Sequence, residues 1–190
     1  KPSTHTTPEA PTVQSWLSSM RDRSTQACVM EVSSHALALY RVAHTRFTTA
    51  VFTNLTRDHL DFHGDMNRYF EAKRRLFELL PQGQPSILNI DDPHGSILVD
   101  SVERPVTYAL QNEADVTCGS VEGSLTGLRF DVRTPRGEIR VRSALIGQAN
   151  VYNILAAVAT AVALDVSFSA IETGIAAVTA VPGRFEIVSD

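Results

Sequence analysis

The sequence predicts an α/β fold in which a mostly parallel sheet carries helices on both faces, followed by a small antiparallel hairpin region. Short apolar runs of strand length alternate with helical segments over roughly the first 110 residues. Parallel strands need a crossover connection, so this alternation is typical of a parallel sheet. Between residues 115 and 145 the apolar residues recur at every second position, which indicates antiparallel strands.

The predicted elements follow from local patterns along the chain. Four apolar runs are predicted as strands, at residues 27–32, 47–53, 86–90 and 105–110. Helical spacing and caps predict helices at residues 12–23, 66–80, 91–102, 150–164 and 169–178. The turn Thr134-Pro135-Arg136-Gly137 joins the hairpin strands. Residues 181–184 are predicted as a turn that leads into residues 185–188.

The composition is that of an ordinary globular protein, with 43% hydrophobic and 20% charged residues. A net charge of -4 does not favour nonspecific nucleic-acid binding. The two cysteines, Cys28 and Cys118, form no metal-binding or disulfide pattern, which fits a reducing cytoplasm. The most apolar stretch, residues 154–166, is too short to span a bilayer, so we expect a cytoplasmic protein without membrane partners.

The densest polar cluster lies at residues 54–64, directly after the second predicted strand. It contains Asp58, His59, Asp61 and His63, which are suited to divalent-cation binding or to acid–base catalysis. Ligands in open parallel sheets bind beyond the carboxyl ends of the strands. The alternative interpretation is a solvated loop that caps a helix, and the residues alone leave the two equally open.

Two further ionisable residues are candidates for the site. Glu31 ends the first apolar run, where a carboxylate is able to hold Mg²⁺, although Ser33 and Ser34 also predict a helix cap there. Lys73 falls in the middle of the apolar face of the helix at residues 66–80. The pattern alone favours a side chain whose stem packs while its ammonium reaches water. The sharper hypothesis is a desolvated amine that reacts with CO₂ to give an anionic carbamate.

The start of the helix at residues 150–164 carries Asn150 and Asn153 on one side. Their amides are suited to recognising a ligand or a base edge, although N-capping explains Asn150 more simply. The sequence contains no phosphate loop of the form GxxxxGK[ST] and no HExxH, GxSxG or GxGxxG motif.

Seven short motifs occur in an order that resembles the UDP-N-acetylmuramoyl-tripeptide synthetases of the Mur ligase family. They are His5-Thr-Thr-Pro8, Met30-Glu-Val-Ser-Ser-His-Ala-Leu37 with Arg41-Val42, Phe52-Thr-Asn-Leu-Thr-Arg-Asp-His-Leu-Asp-Phe-His-Gly64, Tyr69-Phe-Glu-Ala-Lys-Arg-Arg-Leu-Phe77, Asn89-Ile-Asp-Asp92, Asn150-Val-Tyr-Asn-Ile-Leu-Ala-Ala157 and Val181-Pro-Gly-Arg184. Each motif is weak alone, whereas seven in order are specific and extend over essentially the whole chain.

The resemblance implies an ATP-dependent amide ligase of peptidoglycan synthesis. ATP would phosphorylate the glutamate carboxylate of UDP-MurNAc-L-Ala-D-Glu, and a diamino acid, either diaminopimelate or lysine, would attack the acyl phosphate. The resemblance implies that Mg²⁺ is bound, and catalysis carried out, by Glu31, His59 and carbamylated Lys73. It implies that the muramoyl dipeptide is bound by Thr6, Thr7, Ser33 and Arg41. It also implies that Asn150 and Asn153 contact adenine and that Arg184 contacts the nucleotide.

The resemblance also implies how the chain is organised. Residues 1–180 would be a central ATPase-type domain that lacks its phosphate loop, and residues 181–190 would begin the linker to a C-terminal domain. We expect a monomer that does not catalyse ligation on its own. Leu39 stands where some relatives have a substrate-binding Gln. Two alternatives remain: a related ligase such as folylpolyglutamate or cyanophycin synthetase, against which the muramoyl-peptide motifs argue, and a noncatalytic binding module.

Overall fold

The structure is a computed structural model in which residues 6–181 are described. The chain divides into two compact units, the first within Lys1–Ala50 and Leu55–Gln84 and the second within Val51–Asn54 and Pro85–Asp190. None of the helices between residues 6 and 181 combines the length and apolar character that crossing a bilayer requires.

The first unit is helical. Its helices are α1 (Ala10–Asp22), α2 (Ser34–Ala38), α3 (Leu60–His63) and α4 (Met66–Glu78). Local capping explains where two of them begin: the Ser33 hydroxyl accepts a hydrogen bond from the Ala36 N–H, and the Asp65 carboxylate accepts one from the Arg68 N–H. The short α2 and α3 were not predicted individually, because four or five residues carry too little periodicity.

Helix α4 agrees closely with the helix predicted at residues 66–80. The residues that it buries are Tyr69, Phe70, Ala72 and Phe77. On its opposite face, the Arg74 guanidinium forms ion pairs with Glu71 at 2.8 Å and with Glu78 at 3.5 Å, and such pairs stabilise a helix. This helix therefore presents an ordered buried face on which Lys73 lies.

The second unit is built on one seven-stranded mixed sheet, which confirms the predicted α/β fold. Along the sheet the order is β1-β2-β3-β4-β6-β5, and β7 pairs with β6. The pairs β2–β3 and β3–β4 are parallel, whereas β6 is antiparallel to β4, β5 and β7. The strands are β1 (Ala50–Phe52), β2 (Ser86–Asn89), β3 (Pro105–Ala109), β4 (Val116–Cys118), β5 (Glu122–Ser124), β6 (Gly127–Thr134) and β7 (Gly137–Ser143).

Three helices belong to this unit: α5 (Pro93–Val99), α6 (Gln148–Ala163) and α7 (Phe168–Ala177). Helix α6 contributes most of its length to the main hydrophobic core, where Leu155, Val158 and Ala159 are fully buried. Helix α5 comes so close to β2 that a Cβ on Gly95 would stand 1.8 Å from the Asn89 carbonyl oxygen. A side chain is therefore excluded at Gly95 by the sheet itself.

Two predicted strands need correction. Residues 27–32 form no strand, and Val29 is 98% exposed, because an apolar run becomes a buried strand only where neighbouring strands pair with it. The strand predicted at residues 47–53 shortens to β1. The predictions for the other strands and for the five longer helices are confirmed to within three residues at each end. The predicted turn at residues 181–184 and the segment 185–188 into which it leads lie outside the described residues, apart from Val181.

Candidate active site

Thr7 lies at the centre of a hydrogen-bond network in the helical unit. Its side chain is fully buried, and its Oγ1 donates to the Glu31 carbonyl at 2.9 Å and accepts from the Ser33 N–H at 3.0 Å. The hydroxyls of Thr7 and Ser33 are 3.5 Å apart. Thr7 therefore ties the segment before α1 to the segment that enters α2. Three residues expected from the resemblance, Thr7, Glu31 and Ser33, come together here.

Arg41 extends this network. It follows α2, and its backbone N–H donates to the Ala36 carbonyl at 2.8 Å. Its Nη1 donates to the Thr7 carbonyl at 3.1 Å, and its Nη2 lies 2.8 Å from Oε1 of Glu9. The Arg41 side chain is only 11% exposed, so its guanidinium is held in one orientation by neighbours from both sides.

Three histidines lie close together: His35 in α2, His59 at the N-cap of α3 and His63 at the end of α3. The ring of His35 contacts the ring of His59 edge-on at 4.9 Å between centroids, and it lies 5.4 Å from the ring of His63. His59 adopts a left-handed backbone with φ 54° at the N-cap of α3, while its N–H donates to Asp58 at 2.8 Å. A non-glycine residue in this conformation is uncommon, and such residues concentrate at functional sites.

Buried His63 shares a 2.9 Å hydrogen bond with the Ser34 hydroxyl and stacks on the ring of Tyr69. Burial lowers the pKa of His63, and the nearby His35 and His59 lower it further. The neutral imidazole is therefore the form that the fold favours. His63 acts as a structural support between α2, α3 and α4.

Lys73 is half-buried on α4, one turn after Tyr69. Its Nζ lies 5.4 Å from the centroid of the Tyr69 ring, and that ring lies 5.9 Å from the ring of His59. The ammonium form of a lysine is attracted to an aromatic face at this distance. Tyr69 thus links two predicted site residues, Lys73 and His59, within one unit.

The predicted metal-binding residues carry ligand groups that fit Mg²⁺, but few such groups lie together. Glu31 is exposed and the His59 side chain is 44% exposed, so both are accessible to a cation. Between residues 6 and 181, no three His, Cys, Asp or Glu side chains are arranged to hold a metal ion. Mg²⁺ commonly takes one or two protein carboxylates and completes its shell with water and phosphate oxygens. Lys73 would add a ligand oxygen only as a carbamate.

The predicted adenine-side residues lie in the second unit, at the start of α6. Asn150 is buried and its Nδ2 donates to the Ile146 carbonyl at 2.8 Å, while the Asn153 Nδ2 donates to Oδ1 of Asn150 at 3.2 Å. The interpretation of Asn150 as an N-cap is wrong, because Gly147 occupies that position. Asn150 instead braces the turn before the helix and orients the exposed amide of Asn153.

Asp91 is a second hydrogen-bond centre of this unit. The sequence placed it at the start of a predicted helix and in the Asn89-Ile-Asp-Asp92 motif but gave it no role in the site. Its carboxylate accepts hydrogen bonds from the Leu110 N–H at 2.6 Å, from the Asn112 side chain at 2.8 Å and from the Tyr152 hydroxyl at 2.8 Å. The N–H groups of Gln111 and Asn112 also reach it, at 3.0 and 3.1 Å.

These bonds give Asp91 a distinct electrostatic character. Burial alone would raise the pKa of the Asp91 carboxyl, but the hydrogen bonds from Leu110, Tyr152, Gln111 and Asn112 outweigh it and hold that pKa below its ordinary value. Burial and the same carboxylate raise the pKa of Tyr152 to about 12. Asp91 therefore remains ionised and fastens the loop after β3 to helix α6.

The other predicted site residues differ in how they are placed. Thr6 is exposed next to Thr7, and Leu39 is exposed after α2. Arg184 lies outside the described residues. Sequence reasoning assigned no role to Glu9. Its only signal was its position three residues before the predicted helix at residues 12–23, beside the Thr-Thr-Pro motif.

Comparison with known proteins identifies the family. The sequence model of the Mur ligase middle domain matches residues 1–161. A UDP-N-acetylmuramoyl-L-alanyl-D-glutamate–2,6-diaminopimelate ligase from Geobacter metallireducens is 47% identical, covering 100% of this chain and 38% of the relative. The ligase of the same name from Alkaliphilus metalliredigens is 43% identical, covering 96% of this chain and 37% of the relative. The chain thus spans less than two fifths of the length of these relatives.

Solved structures agree with this assignment. A structure of a UDP-N-acetylmuramoyl-L-alanyl-D-glutamate–2,6-diaminopimelate ligase superimposes with a TM-score of 0.86 at 32% identity, covering 98% of this chain and 39% of that protein. A MurF ligase from Thermotoga maritima in complex with ADP shares the fold, with a TM-score of 0.68 at 18% identity and coverage of 83% of this chain and 36% of that protein. The chain therefore belongs to the Mur ligase middle domain family.

Proposed function

We propose that this chain is the central-domain portion of an ATP-dependent ligase that adds the third amino acid to UDP-MurNAc-L-Ala-D-Glu. The observation that carries the proposal is the single network joining Thr7, Ser33 and Arg41, three of the four residues implied for the muramoyl peptide, to the backbone of Glu31, which is implied for Mg²⁺. The names of the relatives at 43–47% identity support diaminopimelate as the added amino acid.

In this proposal the network recognises the substrate through fixed polar groups. Arg41 offers a guanidinium whose orientation is already set, so little side-chain entropy is lost when it meets an anion. Thr6 is exposed and adjacent to Thr7 in the chain, and the Ser33 hydroxyl caps α2 by accepting a hydrogen bond from the Ala36 N–H. These residues would bind and orient the dipeptide so that its terminal carboxylate is held still for phosphorylation.

Glu31 and His59 would hold Mg²⁺, together with a carbamate on Lys73. The ion, when bound, would supply charge neutralisation for the transferring phosphoryl group. The chain's own contribution is positional: Asp58 and the left-handed backbone fix His59, and the Tyr69 ring lies beside the Lys73 Nζ. Carbamylation requires the neutral amine, which attacks CO₂ through its lone pair and releases one proton.

Asn153 would contact the adenine of ATP, with Asn150 setting the direction of its amide. The same proposal assigns Arg184 to the nucleotide. It assigns residues 1–180 to the central domain and 181–190 to the start of a linker. We further propose a cytoplasmic, monomeric enzyme that uses ATP and Mg²⁺, without nucleic-acid or membrane partners.

Isothermal titration of the chain with UDP-MurNAc-L-Ala-D-Glu tests the proposal. We expect saturable binding to the wild type and at least a tenfold loss of affinity in Arg41→Lys, because a lysine cannot reproduce a planar, bidentate donor. Arg21→Lys is the matched control, because Arg21 is exposed at the far end of α1 and contacts its neighbours Ser18 and Asp22 there. Equal binding by wild type and Arg41→Lys would contradict the role of the network.

A second test addresses Lys73. With ¹³C-bicarbonate present, we expect a carbamate carbon resonance in the wild type that is absent in Lys73→Arg. The same chain should release no phosphate from ATP in the presence of the dipeptide and diaminopimelate. Turnover by the 190-residue chain would overturn its assignment as one part of a larger catalytic unit.

A further inference from the structure

Arg41 is the one buried cation among the described lysines and arginines. Its nitrogens are unequally satisfied: Nη1 donates to the Thr7 carbonyl and Nη2 meets Glu9, but the buried Nε has no hydrogen-bond partner among residues 6–181. A buried donor without a partner is rare in folded proteins and needs an explanation. Nε and Nη2 form one edge of the guanidinium, the edge that binds a carboxylate with two parallel hydrogen bonds.

Glu9 fills only half of that edge. One of its oxygens, Oε1, lies 2.8 Å from Nη2, whereas Nε remains without an acceptor. The Glu9 side chain is 59% exposed, against 11% for the Arg41 side chain, so the carboxylate is on the solvent side of the pair. Glu9 is also the N-cap residue of α1, yet its side chain makes no capping hydrogen bond.

We propose that Glu9 is an exchangeable carboxylate that occupies Arg41 until an anionic group of the ligand replaces it. In the ligand-free chain Glu9 neutralises a cation that is costly to bury alone. An incoming carboxylate binds the Nε–Nη2 edge through both oxygens and satisfies the donor that Glu9 leaves unpaired. Glu9 then turns into solvent. This inference rests on the proposed function, and it adds an internal competitor to the same site.

The remaining contacts make the exchange feasible without rearranging the network. The hydrogen bond from Nη1 to Thr7 and the backbone bond from Arg41 to Ala36 do not involve Glu9. Thr7 stays attached to Glu31 and Ser33 through its own hydroxyl. The guanidinium is therefore fixed with or without Glu9, and what Glu9 controls is access to it.

The test uses glutarate, a five-carbon dicarboxylate, as a probe of the intact 190-residue chain. The Nε–Hε resonance of Arg41, assigned by its loss in Arg41→Lys, is followed by NMR during titration. Glu9→Gln keeps the size of the side chain and removes its charge, so we expect glutarate to bind about two- to fivefold more tightly, the range that an exposed ion pair corresponds to. Asp22→Asn, at the other end of α1, removes the same charge and should change nothing.

Glu9→Asp retains the charge on a shorter side chain and is expected to fall between wild type and Glu9→Gln. Equal or weaker glutarate binding by Glu9→Gln overturns the proposal, since Glu9 would then position Arg41 rather than compete for it. Absence of any shift at Arg41 in all variants overturns it as well.

Titration with UDP-MurNAc-L-Ala-D-Glu distinguishes a failure of the exchange at Arg41 from a failure of the proposed function. If glutarate behaves as expected but this nucleotide does not bind, the proposed function fails and the exchange stands. If the nucleotide binds and Glu9→Gln weakens that binding, the exchange fails alone.

Discussion

Replacing Asp91 with asparagine should destabilise the second unit by about 3 kcal/mol. The carboxylate accepts hydrogen bonds from Leu110, Gln111, Asn112 and Tyr152, and hydrogen bonds to a charged group contribute about 1.5–3 kcal/mol each. The contributions are not additive, and an asparagine retains one acceptor oxygen. Its amide, however, would direct N–H donors at the N–H donors of the loop, so we expect a loss well above that of one bond.

Urea denaturation of wild type and Asp91→Asn at pH 7 measures this loss. Tyr152→Phe removes a single donor and should cost about 1 kcal/mol, since the other bonds to Asp91 remain. Asp131→Asn is the matched control, because Asp131 is exposed and its distance to Arg140 is 3.8 Å, so its loss should cost less than about 0.5 kcal/mol. A cost below about 1 kcal/mol for Asp91→Asn would refute the assignment of Asp91 as the fastening point of the loop after β3.

The stabilisation that Asp91 provides depends on pH. The folded pKa of Asp91 lies below its ordinary value of 3.8, so the stabilisation is complete above pH 3.8 and is lost as pH falls through the folded pKa. The stability difference between wild type and Asp91→Asn should therefore shrink below about pH 4 in acid titrations monitored by circular dichroism. Gly95→Ala should cost about 3 kcal/mol in urea denaturation, because its Cβ meets the backbone oxygen of Asn89, whereas Gly174→Ala in α7 has open space and should stabilise by about 0.5–1 kcal/mol. Ser33→Ala removes the N-cap of α2 and an acceptor near Thr7, and a loss of about 1 kcal/mol in the same assay is expected; no loss would contradict the cap.

Local patterns predicted the elements that depend on local physics. Helix α4 was predictable because its apolar residues recur on one face and Pro81 lies just beyond its end. The parallel strands β2 and β3 were predictable because each contains a short apolar run, as buried parallel strands commonly do. The hairpin of β6 and β7 was predictable from strict alternation on either side of a turn.

Features that depend on distant partners were not predictable in the same way. The apolar run at residues 27–32 has the composition of a strand, but composition does not specify a pairing partner. Asn150 resembled a cap because a helix follows it, yet the helix begins earlier, at the turn formed by Gly147. The bond between Asp91 and Tyr152 joins residues 61 positions apart, and no local pattern marks it.

The candidate site shows the same division. Its residue types were identified by motifs, since Glu31, His59 and Lys73 stand out locally as ionisable groups in or beside apolar or dense polar segments. Their supports were not identified: Tyr69 between His59 and Lys73, and Glu9 on Arg41, act through contacts that only the folded chain reveals.

The most direct test of the proposed function is ligation by a chimera. The segment of the Geobacter metallireducens diaminopimelate ligase that aligns with this chain is replaced by residues 1–190, which are 47% identical to it. Formation of UDP-MurNAc-tripeptide from the dipeptide and diaminopimelate is then measured. We expect product that depends on ATP and Mg²⁺ and that disappears in Lys73→Ala. A folded chimera that binds the dipeptide but forms no tripeptide, or one that is equally active without Lys73, would contradict the account.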